Sequence, residues 1–494
     1  MLIAPHFVTQ KKVSCFVLLL LAVALSNKVA AQEPDPAFNC NSFSNALCTL
    51  NLTNPISGLG IDSTGPISYG GTIDNDFKDI LYQKDKRKCD STYNGGTICT
   101  PGASAATYNL VFQIFYPETY NGDSLKLCKM PAVILFHGGS FFECSQYVNP
   151  ATKDVARELA KRGFLVFTVE YRRSVILHPT DKTPNGYQYL SAQQILGVYR
   201  ACQDGRGAIR SIIQMSRDGT NGFGSTFTMD ENNLFIGGFS AGSVIALAAA
   251  YYERQGQIDS AYANVGNAMD TIDAHWYVGS DTINYKRLIK GVVNLWGGLA
   301  MHKSYYGNPT AFFQTNNYNP PMIVFQGRYD STFPVGTSYQ YFSAKIKGGV
   351  NYQTETNCIV HGSSFKLPDD NPDPDMPTDN ADAINIGAES FYTIFKGLGI
   401  RIEEHLDCQA GHGLDEKEDS TFQSDYGTHD TTQHDVYVYI TGRIATYLVA
   451  IIKNAPSLPR KRFVECTNNR IKCGFNSNST CGYTSADEDG ASCE

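Results

Sequence analysis

From residue 108 onward, short apolar runs alternate with longer stretches of helical periodicity, and no other feature limits the possible folds as tightly. The texture changes at "YNLVFQIFYP" (108–117), and the candidate strands are "AVILF" (132–136), "FLVFTVEY" (164–171), "LFIGGF" (234–239), "GVVNLW" (291–296), "MIVFQG" (322–327) and "IRIEEHLD" (400–407). Between them lie helical patterns at 151–162, 188–216, 240–255, 336–347 and 388–398, with a last one at 436–453. Strands that are apolar on both faces need cover on both faces, and a helix at each crossover supplies it. The pattern therefore predicts an α/β fold, a mainly parallel central sheet with helices on both sides. Ligands of such sheets sit at the carboxyl ends of the strands. At 494 residues the chain is long for one domain, yet within reach of a single large one with insertions.

The flanks have a different texture. "KK" at 11–12, the apolar "VSCFVLLLLAVALS" (13–26) and the small-residue "NKVAAQ" (27–32) follow the order of a secretory signal cleaved after Ala31. Its apolar run is about 14 residues, short of the roughly 20 that span a bilayer, so residues 1–31 are expected to be removed and no stable membrane insertion is expected. They carry three lysines and no acid, so the remainder has a net charge of −11 rather than −8. That charge argues against nucleic acid or anionic membranes as partners. Thirteen of the fourteen cysteines lie beyond the signal, with no C-x-x-C pair. This usage disfavours a zinc site and fits an oxidising, secreted setting. Cys40/Cys48 and Cys89/Cys99 are near enough in sequence to bridge locally, and Asn51 and Asn478 head N-x-S/T sequons compatible with export.

Residues 32–105 are polar and weakly periodic, reading as an irregular N-terminal extension ahead of a domain at 106–455. The Pro/Asp-rich "LPDDNPDPDMPTDNAD" (367–382) lacks the calcium-loop spacing and reads as a solvated loop. After "NAPSLPRKRF", the tail 456–494 carries Cys466, Cys473, Cys481 and Cys493 and reads as a small disulfide-stapled appendage. The aromatics of 265–320 (Trp276, Tyr277, Tyr285, Trp296, Tyr305, Tyr306) suit either a cap over a site or ordinary packing.

One strand-to-helix junction stands out chemically. In "GGFSAGS" (237–243) Ser240 lies between Gly238 and Gly242, where a β-favouring run gives way to the Ala-rich helical "AGSVIALAAAYYERQ". A serine on so sharp a turn projects its hydroxyl off the sheet, and flanking glycines let strand and helix approach. Nucleophilic serine chemistry also needs a base, an orienting carboxylate and oxyanion donors. His412 in "CQAGHGLD" (408–415) follows the last strand, and Asp330 in "VFQGRYDSTFPV" (324–335) follows the one before it. "LFHGGSFF" (135–142) ends another strand in Gly-Gly, exposing backbone N–H groups. A lone G-x-S-x-G, a loop histidine or a turn aspartate each occurs for ordinary reasons. Four such elements at strand ends, in the order Ser240, Asp330, His412, are seldom accidental.

The blocks "HGGSF" (137–141), "VEYRR" (169–173), "QDGRGAIRSI" (203–212), "GGFSAGS" and "AGHG" (410–413) resemble those of secreted carboxylesterases. More broadly they resemble the hormone-sensitive-lipase and type-B carboxylesterase branches of the α/β-hydrolase superfamily. The resemblance covers about residues 106–455. It implies ester hydrolysis with Ser240 as nucleophile, Asp330 as acid and His412 as base, and with Gly138, Gly139 and the N–H of Ala241 as oxyanion hole. It implies no metal and no organic cofactor, and an ester substrate as the partner. Ser140 departs from the family's H-G-G-G, which bears on pocket room rather than on the backbone donors. Two other readings compete. A prolyl-oligopeptidase-type peptidase shares the triad order, but residues 32–105 are too few for its large N-terminal domain. A catalytically dead, esterase-like adhesion module typically lacks a triad member, and here all three positions are filled.

Overall fold

The computed structural model describes residues 40–49, 55–69, 87–93, 96–101, 110–139, 141, 150–171, 192–253, 257, 284–305, 307–328, 330, 332–333, 335–339, 383–407, 410–413, 431–453, 461–465 and 485–486. The expected signal segment 1–31, the acidic stretch 367–382, both sequons and Trp276, Tyr277 and Tyr306 lie outside the described residues. Along the main sheet run β1 (Leu59–Ser63), β2 (Val111–Tyr120), β3 (Lys129–Phe136), β4 (Leu165–Val169), β5 (Thr228–Phe239), β6 (Ile289–Leu295), β7 (Met322–Gly327), β8 (Ile402–Asp407) and β9 (Lys461–Glu465). Their spatial order is β1-β2-β4-β3-β5-β6-β7-β8-β9. All neighbours from β4 to β9 pair parallel, while β1 and β2 form an antiparallel edge. This is the α/β-hydrolase fold.

Alternation along each strand explains the layers. Ala132, Ile134 and Phe136 of β3 and Leu234 and Ile236 of β5 face one core, whereas Val133, Leu135 and Phe235 face the other. The first core is covered by α3 (Ala192–Asp218), α4 (Ala241–Tyr251) and α5 (Ala388–Leu398), the second by α2 (Pro150–Ala160) and α6 (Thr431–Ile452). Helix α4 is buried along its whole length, so a sequence apolar on every side suits it. None of the described helices is long and apolar enough to cross a membrane.

The structure departs from the sequence expectations in four places. The N-terminal extension is not irregular throughout: helix α1 (Cys40–Thr49) buries Phe43 and Leu47, and β1 pairs with β2. A five-residue strand with an irregular register at Gly60/Ile61 shows little period of its own; its partner defines it. The expected helix at 336–347 begins instead as a strand, Thr337–Tyr339, because it pairs with Ala383–Ile386, which also pairs with Leu299–His302. Cys40 bonds to Cys128, 88 residues away, and Cys48 is left as a free thiol. A covalent link closing so long a loop fits an oxidising compartment. Cys89 and Cys99 do stand opposite each other in the register of the Arg87–Tyr93/Gly96–Pro101 hairpin.

The fourth departure is the tail, which contributes β9 to the main sheet beside β8. A chain ending at Pro456 leaves β8 as an edge strand. We expect its melting temperature to fall by a few degrees, since ~1 kcal/mol shifts Tm by roughly 2–4 °C in large domains. Turnover per folded molecule should stay within about threefold, because each candidate reacting group precedes the cut. A truncated chain with an unchanged melting curve would show that β9 adds nothing.

Candidate active site

Ser240 sits between β5 and α4 with φ 50° and ψ −114°, a backbone region that non-glycine residues seldom occupy. Hydrogen bonds on both sides hold it there. Its N–H donates to the Leu295 carbonyl at 2.8 Å, and its own carbonyl accepts from the N–H groups of Ser243 and Val244 at 2.9 and 3.1 Å. The flanking glycines are required by contact. A Cβ on Gly238 would lie 2.3 Å from the Gly242 carbonyl carbon, and one on Gly242 would lie 2.1 Å from the Phe136 oxygen. Beneath the turn, the Ser243 hydroxyl donates to Asn294 Oδ1 at 2.7 Å and accepts from the Leu295 N–H at 3.1 Å. Asn294 also binds both the N–H and the carbonyl of Gly297. The second serine of "GGFSAGS" thus clamps the turn to β6, a role its sequence setting does not announce.

The three side chains singled out in sequence meet in a line. Ser240 Oγ lies 2.7 Å from His412 Nε2, and His412 Nδ1 lies 3.0 Å from both carboxylate oxygens of Asp330. A ring nitrogen facing a carboxylate carries the hydrogen, which leaves Nε2 as the acceptor toward the hydroxyl. The Asp330 side chain is fully buried, while that of His412 keeps 21 % of its surface exposed. Asp330 Oδ1 accepts from the N–H groups of Thr332 and Phe333 at 2.9 and 2.8 Å, and Gln326 Nε2 donates to Oδ2 at 3.3 Å. Gln326 also donates to the Phe333 carbonyl and accepts from the Ala388 N–H. The histidine loop docks on the end of β7, where a Cβ on Gly327 would come within 2.1 Å of the Gly411 oxygen.

The Gly-Gly turn after β3 packs against the serine: a Cβ on Gly138 would lie 3.6 Å from that of Ser240. Gly139 has φ 117°, open to glycine alone without strain. His137 fixes this turn from below. Its Nδ1 donates to the Gly138 carbonyl at 2.6 Å, Nε2 faces Glu170 Oε1 at 3.2 Å, and its ring stacks on Tyr171 at 4.3 Å. Tyr171 in turn donates to the His137 carbonyl at 2.8 Å. Ala241 opens α4, where the first N–H groups have no intrahelical acceptor and the helix dipole is positive. Glu170 and Tyr171 lie in the quoted "VEYRR", but nothing in the sequence says that they support a turn more than thirty residues earlier. Of the aromatics at 265–320, Tyr285 and Tyr305 pack internally: Tyr285 donates to the Ala249 carbonyl, and Tyr305 meets Phe312 edge-on.

A second strand histidine serves as contrast. His405, within β8, is buried, stacks on Phe325 at 4.4 Å and places Nε2 2.8 Å from Glu403, which also binds Arg443 at 2.6 Å. Burial holds the His405 ring below its usual value near 6.5, outweighing the opposite pull of Glu403. Burial would raise Glu403, but its bonds to His405 and Arg443 prevail and lower it. Both groups therefore bind protons more readily when unfolded, so stability present above about pH 6.5 declines through His405 on acidification, then through Glu403 below about pH 4.5. We expect a lower melting temperature at about pH 5.5 than at pH 7.5, and a smaller gap in His405→Gln. An equal gap in that variant would assign the acid sensitivity elsewhere.

No protein-family model matches the chain, and no curated protein does. Among solved structures it is similar to a thermophilic esterase of the planctomycete Thermogutta terrifontis with bound butyrate, at 13% identity over 79% of this chain and 95% of that one, TM-score 0.40. The same esterase phosphorylated by paraoxon aligns at 13% identity over 82% and 97%, TM-score 0.37. A truncated carbohydrate esterase from gut microbiota aligns at 12% identity over 80% and 99%, TM-score 0.34. At this distance the likenesses carry no chemistry across.

Proposed function

We propose that the protein is a serine hydrolase of carboxylic esters, working through an acyl-enzyme. The observation that carries this reading is the continuous Ser240–His412–Asp330 hydrogen-bonded line at the carboxyl edge of the sheet. His412 Nε2 takes the hydroxyl proton as Ser240 Oγ attacks the ester carbonyl. Asp330 keeps the ring in the Nδ1–H tautomer and steadies the imidazolium that forms. The N–H groups of Gly138, Gly139 and Ala241 receive the charge on the tetrahedral oxygen, each such donor contributing ~3 kcal/mol. His412 returns the proton to the leaving alcohol. A water, deprotonated by the same nitrogen, then releases the acid.

The partner is thus a carboxylic ester, with no cofactor in the scheme, and the Cys40–Cys128 bond accords with an exported protein. A fluorophosphonate that labels the wild type and leaves Ser240→Ala unlabelled, with turnover of p-nitrophenyl esters, tests the reading. A protein that labels but cleaves only peptide amides would be a peptidase, and one that neither labels nor turns over would be a binding module.

A further inference from the structure

Each carbonyl of the Gly-Gly turn after β3 is held by a side chain. The Gly138 N–H shares a planar, resonant peptide unit with the His137 carbonyl, and the Gly139 N–H shares one with the Gly138 carbonyl. The Tyr171 hydroxyl donates to the His137 carbonyl at 2.8 Å and reaches that of Gly138 at 3.4 Å. His137 Nδ1 donates to the Gly138 carbonyl at 2.6 Å. A donor on an amide oxygen draws electron density from its nitrogen and makes the N–H a stronger donor in turn. The two rings stack and are buried, so water does not compete for these bonds. The amides so treated are the same two that the hydrolase scheme assigns to the oxyanion.

The His137 ring faces an acceptor at each nitrogen. A carbonyl cannot donate, so Nδ1 carries a hydrogen. Nε2 lies 3.2 Å from Glu170 Oε1, which also accepts the Tyr171 N–H at 3.3 Å. The hydrogen between Nε2 and Oε1 belongs to the stronger base, which is imidazole rather than carboxylate. A cationic donor also suits the short contact to Gly138. His405 gives the contrast. Its Nε2 faces Glu403, but its Nδ1 faces the Tyr439 hydroxyl, which can donate, so one ring hydrogen serves both sides. The titratable groups set against the His137 ring are Glu170 at its edge and Tyr171 on its face. We infer that His137, with a hydrogen on each ring nitrogen and Glu170 as counter-charge, acts with Tyr171 as a pair of positioning residues. Resting on the ester-hydrolase reading, the pair polarises the Gly138 and Gly139 N–H groups toward the charge that forms on the substrate oxygen.

The test uses the full chain, with rates on p-nitrophenyl butyrate counted per serine that a fluorophosphonate labels. Tyr171→Phe keeps the stack and removes the hydroxyl. Its kcat should fall about tenfold, less than the loss of a whole oxyanion donor, with KM within about twofold of wild type. Glu170→Gln keeps an acceptor at Nε2 and removes the counter-charge. Its kcat should decline from about pH 7 to about pH 9, where the wild type is level, as the ring gives up its second hydrogen. Nitrogen-15 spectra of histidine-labelled wild type at about pH 7.5 should show both His137 ring nitrogens protonated. The signals are assigned by their loss in His137→Gln or their shift in Tyr171→Phe. A wild-type His137 with a single ring hydrogen overturns the inference, as does a Glu170→Gln profile parallel to that of the wild type. So do variants that melt lower yet keep full kcat per labelled serine, the mark of a structural role only. Should Glu170→Gln fail to fold, the wild-type spectrum and Tyr171→Phe decide. A wild type that neither labels nor hydrolyses overturns the hydrolase reading, and this inference with it.

Discussion

Ser240→Ala should reduce ester turnover by about 10⁴–10⁶-fold while the melting curve stays within a degree or two of wild type. The size follows from what is removed. Without Oγ there is no acyl-enzyme, and His412 and the backbone donors can only assist direct attack by water. Residual catalysis from such donors and from binding alone is commonly about 10³-fold over the uncatalysed rate. Stability should hold because the hydroxyl's contact is with His412, and the strained backbone is kept by hydrogen bonds that alanine also makes. The side chain is 7 % exposed and leaves no cavity of consequence when truncated. Turnover within tenfold of wild type, measured on p-nitrophenyl butyrate with protein purified free of wild-type enzyme, would remove Ser240 from the mechanism.

The strands from β3 to β7 were legible because each carries an apolar run on both faces, which only a sheet between two helical layers satisfies; β8 was legible from its place in the alternation, since Glu403, Glu404 and His405 interrupt its apolar pattern. Ser240, Asp330 and His412 were legible for a related reason. Each follows one of these strands directly, and the fold brings strand ends together without further instruction. What stayed hidden depends on distant pairing. Leu59–Ser63 is a strand because Val111–Tyr120 lies beside it, and its exposed Asp62 and Ser63 give no apolar period. Cys40 had a partner 8 residues away in sequence and took one 88 away, since α1 packs near the start of β3. The supporting polar groups were the least visible. Gln326 reads as one more residue of an apolar strand, and Asn294 as a polar interruption of another. Their roles exist only once β7 meets the start of α5 and β6 meets the serine turn.

That hidden support decides the outcome of a second substitution. Asp330→Asn changes one atom in size and charge, and the environment dictates which way the new amide points. Oδ1 accepts from two backbone N–H groups, Thr332 and Phe333, so the amide oxygen must stay there; an NH₂ in its place would face two donors. The NH₂ therefore takes the Oδ2 position, facing His412 Nδ1 and the Gln326 amide. Gln326 cannot turn over to accept from it, because its oxygen is held by the Ala388 N–H and its nitrogen by the Phe333 carbonyl. His412 Nδ1 lies 3.0 Å from that NH₂ and from the retained oxygen alike, but the oxygen already accepts two N–H groups, so accepting from the NH₂ is favoured, which moves the ring hydrogen to Nε2 and aims it at Ser240. A protonated Nε2 cannot take the hydroxyl proton, and the carboxylate that steadied the imidazolium is gone. We expect kcat/KM near pH 7 to fall by about 10⁴-fold, with KM little changed. Burying a donor against the Gln326 donor should also cost about 1–3 kcal/mol of stability, so the variant should fold with a lower melting temperature. An active Asp330→Asn enzyme would mean that another carboxylate orients His412. Full activity loss with an unchanged melting temperature would mean that Gln326 does rearrange, and only the tautomer argument would survive.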